Sequence, residues 1–224
     1  MAFSFKYLIE IFPYLIVYIP ITLGMTLAAM VLAIVIGLII TWLSKSEFGV
    51  FRYLAALYSS LFRGIPTLVQ LFLVYYGLPE IFPSLRGFPA IAACIIGLGF
   101  KQAANLSEIF RAGLDSIDEG QKEAGIALNI SKAKIFFHII LPQAALNALP
   151  ATGNTFISLL KETSLAFTLG VTELFTSGKL LASESFRYFE VYVDVGLLYW
   201  LMVIAYTGLQ KQLEKILSRP YLRN

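Results

Sequence analysis

Long apolar runs separated by polar stretches set the pattern of this chain. Tyr14 to Leu43 carries no charged residue. At about 1.5 Å rise per helical residue it can cross a hydrocarbon layer of about 30 Å. Tyr53 to Leu78 is a second run, interrupted only by Arg63. Ala90 to Ile109 is a third, apolar in its first half and polar in its second. Pro142 to Leu169 is a fourth, irregular run holding Pro142, Pro150, Gly153 and the polar cluster Lys161-Glu162-Thr163-Ser164. Val191 to Leu217 is the fifth. Prolines and glycines inside such runs are compatible with membrane helices, because neighbours re-satisfy the backbone. The pattern predicts an all-α polytopic membrane protein of about five transmembrane helices. The expected spans are roughly 14–43, 53–78, 90–109, 142–169 and 191–217, in one domain over 1–224.

The connections differ in size. Lys45 to Arg52 reads as a short polar turn and Pro79 to Pro89 as a loop. Gly170 to Glu190 reads as a polar connection with a short helix around Thr172 to Leu181. The stretch from Arg111 to Pro142, with the loop itself at 111–141, stands apart, because most connections between elements are short. It carries a helical pattern of its own. A helix through Gln121–Leu128 places Ala124, Ala127 and Leu128 on one face, at i, i+3 and i+4. Small residues there let a partner's groove come close, which predicts a docking helix. The other reading is a helix lying on the membrane surface. Ala124, Gly125 and Ala127 offer little apolar area for that.

Composition supports the membrane class. Of 224 residues, 58% are hydrophobic and 14% charged, against about 45–50% and 25% in soluble domains. Mean hydropathy is +0.77. The single cysteine, Cys94, excludes an intrachain disulfide and a cysteine-based metal site, and the single histidine, His138, excludes a histidine cluster. No signal-peptide layout precedes the first run, so it is expected to remain as a span.

Charge distribution orients the spans. With the island inside, the inner set holds Lys45, Arg52, Arg63, Arg111, Lys122, Lys132, Lys134, Lys211, Lys215, Arg219 and Arg223. The outer set holds Lys6, Arg86, Lys179 and Arg187. The positive-inside rule then places the N-terminus outside and the C-terminus in the cytoplasm of a cell-membrane protein. Aromatic residues near the outer face, such as Tyr7, Phe12, Tyr188 and Phe189, read as interface anchors.

Two runs carry polar groups at membrane depth. In the third, Lys101, Asn105 and Glu108 recur at i, i+4 and i+7, with Gln102 beside them. Charges at mid-bilayer cost at least ~2.5–3.5 kcal/mol each, so they face a protein interior or a water-filled path. Glu108 and Arg111 read as snorkelling at the cytoplasmic end. Lys101 reads equally as a pathway residue or as one half of a structural pair. The fourth run carries Asn154, Ser158, Lys161, Glu162, Thr163 and Ser164, with a helix break expected near Pro150 and Gly153. These residues form a candidate substrate pathway, set against a Lys101–Glu162 or Lys161–Glu162 structural pair. No catalytic triad is present, and the Walker A pattern is absent.

The island resembles the EAA loop of ABC-transporter permease subunits. The matching residues are Glu123-Ala124-Gly125, then Asn129, then Ile139-Ile140-Leu141-Pro142. Gly125 replaces the family's second Ala, and Asn129 its Gly; Asn tolerates the left-handed backbone that Gly serves. The flanks Leu61–Pro66, Ser107–Gly113, Leu141–Ala144 and Lys161–Leu165 resemble importers of polar amino acids. The resemblance implies a permease whose coupling residues are Glu123, Ala124, Gly125, Ala127, Leu128, Asn129, Ile139, Leu141 and Pro142. It implies no cofactor on this chain, with ATP and magnesium held by cytoplasmic ATP-binding subunits. A second permease subunit and an extracellular amino-acid-binding protein complete the expected partners. An autonomous carrier or channel using Lys101 and Glu162 as relay charges is the competing reading.

Overall fold

Pro20 divides the first apolar run. In the computed structural model, which describes residues 3–218, a short helix α1 (Phe5–Ile16) ends before the span α2 (Ile19–Ser44) begins. Pro20 sits in the first turn of α2, where its missing N–H leaves no bond unmade. The first span therefore starts at Ile19, not Tyr14. Arg219 and Arg223, counted above toward the inner face, lie outside the described residues.

The second expected span is also broken. α3 (Gly49–Gly64) and the helical stretch Thr67–Ile81 are bent by 108° at Ile65-Pro66. That stretch holds α4 (Thr67–Phe72) and α5 (Leu78–Ile81). Gln70 is buried at the break, and its Nε2 donates to the Phe62 carbonyl at 2.9 Å and the Ile65 carbonyl at 2.7 Å. Two of the carbonyls left over by the break are thus satisfied inside the protein.

Two wide π-helical turns, Leu73–Gly77 and Phe136–Ile140, share a cause. Each is closed by the residue just before a proline: Leu78 N–H bonds to Leu73 C=O ahead of Pro79, and Leu141 N–H bonds to Phe136 C=O ahead of Pro142. A proline ring clashes with the carbonyl four residues back in a regular helix. Widening the turn relieves the clash without ending the helix.

The remaining elements are α6 (Ala90–Asp115), α7 (Glu119–Ala127), α8 (Lys132–Ile135), α9 (Leu141–Glu162), α10 (Leu174–Ser185) and α11 (Tyr188–Ser218). Four helical stretches are long and apolar enough to cross a membrane: Ile19–Ser44, Ala90–Asp115, Lys132–Leu169 and Tyr188–Ser218. The bent pair makes up to five. α6 and the Lys132–Leu169 stretch both extend into the polar island, so the true connection is only 116–131. α9 runs unbroken through Pro150 and Gly153, contrary to the expected break. A Cβ at Gly153 would strike the Gln210 side chain on α11, so this glycine serves close packing. The change of helix type comes later, where Thr163–Leu169 tightens into a 3-10 helix ending at Gly170 with φ 76°.

The core lies where α2, α6 and α9 meet. Between membrane helices the hydrophobic effect gives little attraction, so close packing of small residues holds them together. Ala29, Ala33 and Ala103 are fully buried. A Cβ on Gly37 would lie 3.1 Å from Leu106 Cβ, and one on Gly99 would lie 2.8 Å from Leu32 Cδ2. A second buried cluster joins Ile11 and Leu15 of α1 to Leu174 and Ala182 of α10 and Val191, Val195 and Leu198 of α11.

Glu173 fastens this second cluster to α2. It is fully buried. Its carboxylate accepts from Thr22 Oγ1 at 3.2 Å, Tyr199 OH at 3.0 Å and the Thr176 N–H at 2.9 Å. The last bond caps the N-terminus of α10. Every partner is a neutral donor.

Candidate functional site

The connection between α6 and α9 is built as a rigid piece. Asp118 caps α7, its Oδ1 accepting from Gly120 N–H at 2.7 Å. At the other end Asn129 adopts φ 56°, the left-handed conformation expected for it. Ile130 N–H bonds to Gly125 C=O at 3.0 Å and Asn129 N–H to Ile126 C=O at 2.9 Å. This pair of bonds is a Schellman motif, which closes the orphan carbonyls of the last turn.

The capped helix is then braced on its neighbours. Gln121 and Gln143 exchange amide hydrogen bonds at 3.1 and 2.7 Å, tying α7 to the first turn of α9. Asn147 Nδ2 donates to Ser116 Oγ at 2.8 Å. At the base, a Cβ on Gly113 would meet the Ala144 carbonyl at 2.7 Å, so α6 and α9 touch through backbone. Asp115 takes contacts from Lys45 and Arg111.

The predicted docking residues divide. Glu123, Ala124, Ala127 and Leu128 are exposed, Leu128 at 75%. Gly125 is buried instead: a Cβ there would lie 2.8 Å from Ile135 Cδ1. Its smallness serves packing within this chain. Asn129 is exposed at the turn. Ile139 lies in the wide turn and Leu141 and Pro142 in the first turn of α9, so none of the three is on α7.

Most of the predicted pathway residues come together between α6 and α9. An open cavity of about 420 Å³ is lined by Arg63, Gln102, Asn105, Glu108, Ile109, Asn154, Thr155 and Ser158. Beside it Lys101 Nζ donates to Glu162 Oε1 at 2.5 Å, and Gln102 Nε2 donates to Glu162 Oε2 at 3.1 Å. Asn105 Nδ2 extends the chain to Gln102 Oε1 at 2.8 Å. The Lys101 and Glu162 side chains are 17% and 21% exposed. The two helices run in opposite directions, which brings Lys101 to the last residue of α9.

Lys161, Thr163 and Ser164 do not join them. Lys161 is exposed and absent from the cavity lining, Thr163 Oγ1 donates to the Leu160 carbonyl, and Ser164 Oγ donates to the Lys161 carbonyl. Sequence reasoning missed four lining residues, the apolar Ile109 and three polar ones. Arg63 reaches the cavity because α3 breaks just after it, and Glu108 bridges Arg63 at 3.9 Å and Arg111 at 2.5 Å. Thr155 follows Asn154 on the same helix. Two buried acids were also missed. Glu173 lay in a stretch read as a connection. Asp194 lies inside the fifth span, fully buried, with neither carboxylate oxygen hydrogen-bonded among the described residues.

The chain is 53% identical over 218 residues to "Probable amino-acid permease protein YxeN" of Bacillus subtilis, covering 97% of each. It is 41% identical over 223 residues to "Probable amino-acid ABC transporter permease protein PatM" of Vibrio harveyi, covering 100% of each. The solved structure "Crystal structure of an amino acid ABC transporter with histidines" has a chain that matches with TM-score 0.87 and 32% identity, covering 96% of this chain and 99% of that one. One inward-facing structure of the MetNI methionine ABC transporter matches at 19% identity and TM-score 0.72, covering 91% of this chain and 95% of that one, a likeness of fold. Residues 33–219 match the family described as "Binding-protein-dependent transport system inner membrane component", and the chain belongs to that family.

Proposed function

We propose that this chain is the membrane-spanning subunit of an ATP-driven importer of a polar amino acid. The observation that carries the reading is the capped, braced helix α7, which presents Glu123, Ala124, Ala127 and Leu128 outward. A rigid helix seated in a groove of a cytoplasmic ATPase transmits the ATPase's closing motion. Here the Gln121–Gln143 bonds and the Gly113–Ala144 contact pass that motion to α9 and α6. ATP and magnesium belong to that partner. An external binding protein delivers the amino acid, and a second permease subunit completes the pathway. The relatives named for amino-acid transport support this substrate class.

The orientation follows from charge. With α7 in the cytoplasm, Lys45, Arg52, Arg111, Lys122, Lys132 and Lys134 all lie on the inner side. The N-terminus is then outside and the C-terminus inside. An autonomous carrier leaves the capped helix without a role.

The substrate meets the network around Glu162. A free amino acid presents a carboxylate and an ammonium. The ammonium competes with Lys101 for Glu162, while Arg63, Gln102, Asn105 and Asn154 offer donors to the carboxylate. Labelled amino-acid binding to the complete transporter tests this. Glu162→Gln is expected to weaken it roughly tenfold. Unchanged binding would place the ligand elsewhere.

A further inference from the structure

A second cleft, of about 570 Å³, opens where α2 and α6 end against α7 and the turn into α9. Its volume falls in the range of about 300–1,000 Å³ typical of ligand clefts. Its walls are apolar and exposed: Leu38 at 52%, Trp42 at 71%, Phe136 at 38% and Leu141 at 37%. Leu38 and Trp42 belong to the last turns of a membrane span, and a tryptophan at that level marks the headgroup boundary. Its mouth is charged. Lys45 and Asp115 contact one another, and Asp118 caps α7. Lys122, Lys132, Glu119 and the capping Asp118 have no ion pair among the described residues, and of the two acids only Glu119 is not engaged in a cap.

We propose that this cleft holds a phospholipid with a zwitterionic amine headgroup, of the phosphatidylethanolamine type. Two lysines face one phosphate, and the Glu119 carboxylate, which caps no helix, faces the primary ammonium beyond it. An acyl chain lies along Leu38, Trp42, Phe136 and Leu141. A choline headgroup has no N–H to give Glu119. A glycerol headgroup offers it no cation. The occupant would touch α2, α6, α7 and α9 together, and so would set how the docking helix sits on the spans. This proposal rests on the reading of α2 and α9 as spans, and not on the choice of transported solute.

The test is native mass spectrometry of the complete transporter, released from nanodiscs of equal parts phosphatidylethanolamine, phosphatidylcholine and phosphatidylglycerol. Wild type is expected to retain phosphatidylethanolamine with roughly tenfold preference, the size that one charge-assisted hydrogen bond gives. Glu119→Gln, which leaves both lysines, is expected to bring the ethanolamine and choline lipids level. Lys122→Glu with Lys132→Glu is expected to release lipid altogether. Should the double variant not assemble, Glu119→Gln decides alone. Equal retention of the choline lipid by wild type, preference for the glycerol lipid, or retention unchanged in Glu119→Gln overturns the proposal. Lipid held equally by wild type and the lysine double variant overturns it too, because the retained lipid is then held elsewhere. Solute uptake is measured on the same samples, so that failure of lipid binding and failure of transport are read separately.

Discussion

Gln121 on α7 and Gln143 on α9 hold one another through two amide hydrogen bonds, at 3.1 and 2.7 Å. These bonds link the helix that carries the exposed residues Glu123, Ala124, Ala127 and Leu128 to a span that lines the polar cavity. Gln143→Leu is expected to lower ATP-driven uptake several-fold while the ATPase still co-purifies. The half-buried Gln121 amide loses both of its bonds to α9, worth about 0.5–1.5 kcal/mol each, enough to loosen the joint. Uptake measured against ATP hydrolysed checks it; an unchanged ratio would show that the motion travels by another route.

Asn129 tests the turn. Its φ of 56° is open to Asn and Gly and strained for a β-branched side chain. Asn129→Gly is expected to be nearly silent in stability and uptake. Asn129→Val is expected to destabilise the loop by about 1–2 kcal/mol. Hydrogen exchange over the α7–α8 connection reads the difference.

The Lys101–Glu162 pair separates two roles. Removing one partner of this half-buried pair leaves an uncompensated charge, at a cost below the about 3–5 kcal/mol of a fully buried pair. Lys101→Met is therefore expected to reduce stability. The exchange Lys101→Glu with Glu162→Lys restores the pair. If it also restored full transport, the pair would be structural and the substrate would bind elsewhere; the account here expects stability without transport.

Glu173 and Asp194 are both fully buried acids with opposite surroundings. Glu173→Leu leaves the Tyr199 hydroxyl and the Thr176 N–H without acceptors and is expected to cost ~1–3 kcal/mol. Asp194→Leu removes no hydrogen bond. It is expected to leave melting in detergent unchanged or raised.

The sequence made some of this legible and hid the rest for physical reasons. Hydropathy located the apolar runs but not their breaks, because prolines occur freely inside membrane helices. Pro142 is passed by a widened turn and Pro150 within a regular helix, whereas Ile65-Pro66 bends the chain sharply. Hydropathy also ended the third span at Ile109, although α6 continues to Asp115: a helix that leaves the bilayer turns polar without ceasing to be a helix. The opposition of Lys101 and Glu162 could be read from antiparallel spans. Arg63 could not, since only the break after α3 delivers it to the cavity. Gly125 fitted a docking face by pattern, and only the position of Ile135 reveals its real neighbour.

The most direct test is uptake of labelled amino acid into proteoliposomes holding this chain, its ATPase subunits and the binding protein, with wild type set against Glu123→Lys. Accumulation is expected to require ATP on the side of α7. Glu123→Lys is expected to lose at least tenfold with the chain still in the membrane. Accumulation driven by an ion gradient without ATP, or wild-type uptake by Glu123→Lys, would contradict it.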